Sequence, residues 1–128
     1  MRRYLILKRP QSFFSSLLIA ALLCLVMQPR AAFAHAALQT AVPAANSTVH
    51  AGVVPIILTY NSRVDAAHSS LSLLKGGQAQ QLVIDGKAAP NALKSQTNPL
   101  APGHYILRWQ AVAADGHISR GEVAFEVK

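Results

Sequence analysis

Tyr105-Ile106-Leu107-Arg108-Trp109-Gln110-Ala111-Val112 is the stretch whose reading sets the fold class. Along an extended chain, Tyr105, Leu107 and Trp109 fall on one side, and Arg108 and Gln110 fall on the other. Alternation with a period of two marks a strand with one buried and one solvated face. The segment from His117 to Lys128 does the same: Val123, Phe125 and Val127 share a face opposite Arg120, Glu122 and Glu126. Asp115-Gly116-His117 joins the two. Asp-Gly is a common turn, so these segments read as the last two strands.

Outward from this pair, the apolar segments stay short. Val53 to Tyr60 is a β-branched run in which Pro55 predicts an edge position or a bulge. Leu71 to Leu74 is a strand candidate ended by Gly76-Gly77. Gln81 to Ile84 leads into Asp85-Gly86, which predicts a two-residue hairpin. Pro43 to Thr48 and Pro99 to Gly103 read as loops. Beyond residue 34 there is no convincing helical period and no internal repeat. Short strands without helices imply a sandwich or a small Greek-key barrel, centred on Tyr105, Leu107, Trp109 and Phe125.

The first 34 residues have a different composition. Arg2, Arg3, Lys8 and Arg9 precede an apolar run from Phe13 to Met27, and Ala32-Phe33-Ala34 follows soon after. The run is shorter than the roughly 20 residues of a spanning helix. A basic start, an apolar middle and an Ala-x-Ala end describe a cleavable export signal, residues 1–34, ahead of one small domain, residues 35–128. An uncleaved membrane anchor ranks below this reading. Ala34-His35-Ala36 is a second Ala-x-Ala site, and cleavage there would discard His35. Cleavage after Ala34 is favoured.

The formal charge of +7 comes largely from the leader, which holds five basic residues. Residues 35–128 carry seven basic and five acidic residues, a net of +2, with no run of like charge. That excludes a nucleic-acid footprint, which needs clustered Lys and Arg. Cys24, Met1 and Met27 all lie in the leader. The domain therefore has no disulfide and none of the soft sulfur ligands that hold Cu(I).

Cleavage after Ala34 would free the amine of His35 beside its own imidazole, a chelating pair that suits Cu(II). Asp115 and His117 supply a carboxylate and a second imidazole. If the turn keeps a strand-like period, both project to the same side. Taken alone, Asp-Gly-His is a hairpin corner with a solvated histidine. Beside His35 it completes an N3O set, and tetragonal N/O coordination is what Cu(II) prefers.

Residues His35-Ala36-Ala37-Leu38 with Pro43-Ala44, the segment Ile56 to Ser62, and the run Leu100 to Trp109 followed by Asp115-Gly116-His117, Gly121 and Phe125 resemble CopC-type periplasmic copper-binding proteins. The resemblance covers essentially all of residues 35–128. It implies an all-β, seven-stranded, Greek-key, immunoglobulin-like barrel or sandwich. It also implies a periplasmic Cu(II) site whose ligand roles fall on His35, Asp115 and His117. Some members carry a Cu(I) site in a Met-rich loop, but Leu71 to Leu82 here has no Met. The expectation is a Cu(II)-only member that carries or buffers copper, working with an inner-membrane copper permease of the CopD type.

The other histidines read as bystanders. His50 and His104 lie in loops and are expected to be solvated; His68, in Asp65-Ala66-Ala67-His68, is the first to add if a fourth side-chain ligand is needed. Two further functions stand beside the carrier. A terminal histidine with a second histidine is also the copper brace of lytic polysaccharide monooxygenases, but the short chain and Asp115 disfavour an enzyme. A metal-free interaction domain becomes the default if cleavage follows Ala36. No nucleophile elbow or phosphate-binding glycine loop is present.

Overall fold

The alternating segments fold as strands in the computed structural model, which describes residues 35–128. The expected leader, residues 1–34 with its Ala32–Ala34 cleavage motif, lies outside the described residues. The strands are β1 (Leu38–Val42), β2 (Ser47–Val49), β3 (Pro55–Tyr60), β4 (Ser70–Lys75), β5 (Gln78–Leu82), β6 (Ala92–Gln96), β7 (Gly103–Val112) and β8 (Ile118–Val127). They form a three-stranded sheet in the order β1-β3-β6 and a five-stranded sheet in the order β2-β8-β7-β4-β5. Among the described residues only β2 pairs in parallel, with β8. The result is an all-β, immunoglobulin-like Greek-key sandwich. Among the described residues there are eight strands rather than seven, the three-residue β2, Ser47 to Val49, zipping onto the outer edge of β8. No helix among the described residues is long and apolar enough to cross a membrane.

The core lies between the sheets. Ile56, Leu58 and Tyr60 project from β3, and Leu71 and Leu73 from β4. They meet Tyr105, Leu107 and Trp109 of β7 and Val123, Phe125 and Val127 of β8. All four residues expected at the centre are buried. Burying each large side chain stabilises by about 1.5–3 kcal/mol, and a domain without cysteine depends on that term. Tyr105 stacks on Phe125 at 5.8 Å, and Tyr60 meets Trp109 edge-on at 5.5 Å. Opposite Trp109 on β8 stands Gly121, where an added Cβ would lie 2.5 Å from the indole ring.

Several local expectations change. Ser47 and Thr48, expected in a loop, belong to β2, and His104, also expected in a loop, lies in β7. Pro55 does not mark an edge or a bulge: it opens β3, the central strand of its sheet. Pairing with β1 reaches only Ile57, so the missing Pro55 N–H interrupts no ladder on that side. Asp85-Gly86 does not close a hairpin. Asp85 N–H donates to the Lys94 carbonyl at 2.8 Å, and Ser95 Oγ donates to the Val83 carbonyl at 2.7 Å. These bonds draw the chain after β5 across to β6, in the other sheet. The tight hairpin is Gly76-Gly77, between β4 and β5, with φ of 55° and 82°. Positive φ at both central residues is what a type I′ turn requires.

Candidate metal centre

The β7–β8 hairpin builds the first half of the centre. Val112 pairs with Ile118, and the Ala113 N–H donates to the His117 carbonyl at 2.8 Å. Gly116 N–H donates to the Ala113 carbonyl at 2.9 Å, and Gly116 takes φ of 86°. At this tip Asp115 accepts the His117 N–H on Oδ1 at 3.1 Å, while its Oδ2 lies 2.9 Å from His117 Nδ1. The tip is a turn and not a continued strand. The carboxylate and imidazole meet because Asp115 wraps back onto its own backbone, an Asx-type turn, and not through strand alternation. Bonding from the His117 N–H, then from its side chain, holds the Asp115 carboxyl below the usual carboxylate range.

The chain's entry into the fold supplies the second half. Ala36 is fully buried in the core, and Ala37 N–H donates to Asn61 Oδ1 at 2.8 Å. Asn61 N–H in turn donates to the Ala37 carbonyl at 3.0 Å. With these anchors, the His35 ring lies 5.0 Å from the His117 ring, centroid to centroid, tilted by 49°. The structure thus places His35 beside His117, and His117 beside Asp115. Among the described residues, no group of three such side chains converges on one coordination point.

Two imidazoles and a carboxylate are nitrogen and oxygen donors of the kind that suit Cu(II). Asp115 Oδ2 lies 2.9 Å from His117 Nδ1, at hydrogen-bonding distance. Both side chains are partly exposed, at 38% and 56%, so an ion has access from solvent.

The remaining histidines stay outside this group. His68 pairs with Asp65 at 2.7 Å, and Asp65 Oδ1 also accepts the N–H of Ala67 and of His68. The His68 side chain holds the Asp65 carboxyl low. This pair caps a local turn and adds no ligand to the centre. His104 pairs with Glu126 at 2.7 Å across the far end of β7 and β8, and His50 is exposed. Asn61 is the residue that sequence reading missed; its only signal was a short polar side chain directly after an apolar strand.

With fold and geometry defined, comparison places the chain among known proteins. The CopC domain family model matches residues 38–128, and the chain belongs to the CopC family. CopC-family proteins are periplasmic copper-binding proteins and not enzymes. The chain is 30% identical to copper resistance protein C of Xanthomonas campestris pv. juglandis over 106 residues, covering 76% of this chain and 83% of the relative. It is 31% identical over 100 residues to protein YobA of Escherichia coli K12, covering 75% of this chain and 81% of the relative. Among solved structures it resembles CopC from Methylosinus trichosporium OB3b, with a TM-score of 0.69 and 31% identity, covering 73% of this chain and 94% of that one. It also resembles PcoC, a methionine-rich copper resistance protein of Escherichia coli, with a TM-score of 0.61 and 28% identity, covering 74% and 100%.

Proposed function

We propose that this chain, cut after Ala34, is a periplasmic carrier or buffer that binds one Cu(II). The ligands are the amine and Nδ1 of His35, a carboxylate oxygen of Asp115 and an imidazole nitrogen of His117. The observation that carries the reading is the placement of His35 at 5.0 Å from a histidine already paired with a carboxylate. Cleavage turns the His35 amide nitrogen into an amine, a donor that an internal histidine lacks. Copper resistance protein C and PcoC are similar proteins whose names carry the copper role. PcoC is methionine-rich, whereas residues 35–128 here contain neither Met nor Cys. The chain is therefore proposed as a Cu(II) binder without a Cu(I) site. Delivery to, or restraint at, an inner-membrane copper permease of the CopD type completes the proposal.

Intact mass of the exported protein, with and without one equivalent of Cu(II), tests it. The expected species starts at His35 and retains one copper. A chain starting at Ala37, or one starting at His35 that holds no copper, refutes the proposal.

A further inference from the structure

Asn61 follows the last residue of β3 and faces the entering chain. Its side chain accepts the Ala37 N–H at 2.8 Å, and its backbone N–H donates to the Ala37 carbonyl at 3.0 Å. Two opposed hydrogen bonds fix both the position and the direction of one residue. One step upstream, Ala36 is fully buried. His35 therefore stands at the end of an arm anchored twice within two residues. A chain terminus is ordinarily the least ordered part of a domain. Ordering it at the moment of binding would weaken binding. The Ala37 carbonyl bond uses only backbone and is open to any residue but proline at position 61. The bond to Oδ1 belongs to the asparagine alone.

We propose that Asn61 is a positioning residue of the metal centre. Its side chain sets the arm so that the terminal histidine already stands against His117 when the ion arrives. Asn61 need not touch the metal. This inference rests on the copper reading above and adds to it a residue outside the ligand set.

The test compares the exported parent protein with Asn61→Leu, which keeps the bulk and loses the acceptor, and with Asn61→Ala. Cu(II) affinity is measured by competition with a chelator of known strength. Both variants are expected to bind about three- to tenfold more weakly, the equivalent of one net hydrogen bond. A double-mutant cycle with His117→Ala separates positioning from general weakening. His117→Ala should cost less affinity in the Asn61→Leu background than in the parent, because the arm no longer holds His35 against it. The electron paramagnetic resonance spectrum of the Cu(II)-loaded variant should also differ from that of the parent. If Asn61→Leu binds within twofold of the parent, or the two substitutions are additive, the positioning role is wrong while the copper reading stands. A parent that starts at His35 and binds no copper overturns both.

Discussion

The rings of His35 and His117 lie 5.0 Å apart, one at the entry of the chain and one at the tip of its last hairpin. No local rule of helix, strand or turn joins them. Their meeting depends on the burial of Ala36 and on the pairing of β7 with β8. Each half of the centre can therefore be disturbed separately, and the two losses should look alike.

Replacing His117 with Ala, or extending the chain by one residue ahead of His35, is expected to weaken Cu(II) binding at least about tenfold. The second change removes the amine and leaves every side chain in place. Losing one strong donor of a chelate exceeds the roughly 1.4 kcal/mol that a tenfold change represents. Chelator competition on the two proteins measures it. Unchanged binding by the extended chain would exclude the amine as a ligand.

Copper affinity is expected to rise with pH from about 5 to 9. The α-amine that cleavage would free at His35, with an ordinary pKa of about 7.7–8.0, must lose its proton to bind. Asp115 is held below the usual carboxylate range and is already ionised throughout that window. It should add no inflection of its own. For the metal-free fold the sign is the reverse of that for a group with a raised pKa. Asp115's contribution is present above its unfolded value near 3.9 and is lost as pH falls through the lowered value. Binding isotherms of the parent and Asp115→Asn across pH 5–9 should show parallel inflections at different affinity.

The Tyr60 hydroxyl is buried and has no hydrogen-bond partner among the described residues, and burial pushes its ionisation well above the ordinary value near 10. The folded state therefore keeps its proton where the unfolded state loses it. Stability should fall as pH rises above about 10. Tyr60→Phe removes the buried polar atom and keeps the ring against Trp109. It is expected to leave neutral-pH stability unchanged or raised by up to about 1 kcal/mol, and to flatten the alkaline decline. Denaturant midpoints at pH 7 and pH 10.5 check both. A large loss at pH 7 would mean that the hydroxyl has a partner, such as a buried water.

Gly121 and Gly116 are expected to resist substitution for different reasons. At Gly121 an alanine Cβ would sit 2.5 Å from Trp109 Cζ2, so Gly121→Ala should destabilise by about 1–3 kcal/mol through overpacking. At Gly116 nothing lies within 4 Å, but φ is 86°. Gly116→Ala should cost about 1–2 kcal/mol through backbone conformation alone. It should also loosen the Asp115–His117 pair and weaken copper binding, whereas Gly121→Ala should act chiefly on stability. Urea unfolding beside a copper titration distinguishes the two.

The all-β class, the two long final strands and the four central core residues followed from the sequence because alternation is local. Tyr105, Leu107, Trp109 and Phe125 declare their faces through immediate neighbours. β6 carries no such signal: in Ala92-Leu93-Lys94-Ser95-Gln96 a lone leucine is the only large apolar residue, and its pairing with β3 makes it a strand. The Asp85-Gly86 turn misled for a related reason. A turn motif states that the chain bends, while bonds to Lys94 and Ser95 decide which sheet it enters.

By itself the sequence determined the donor types. It holds a histidine directly after an Ala-x-Ala motif, an Asp-Gly-His turn, and no sulfur ligand beyond residue 34. Only the tertiary structure decided that His35 stands beside His117, which pairs with Asp115. Burial of Ala36 and the Asn61 bonds bring the arm there, and the Asx-type turn aims the carboxylate. Residue identity is written in the chain, but the proximity of residues far apart in it is a product of packing.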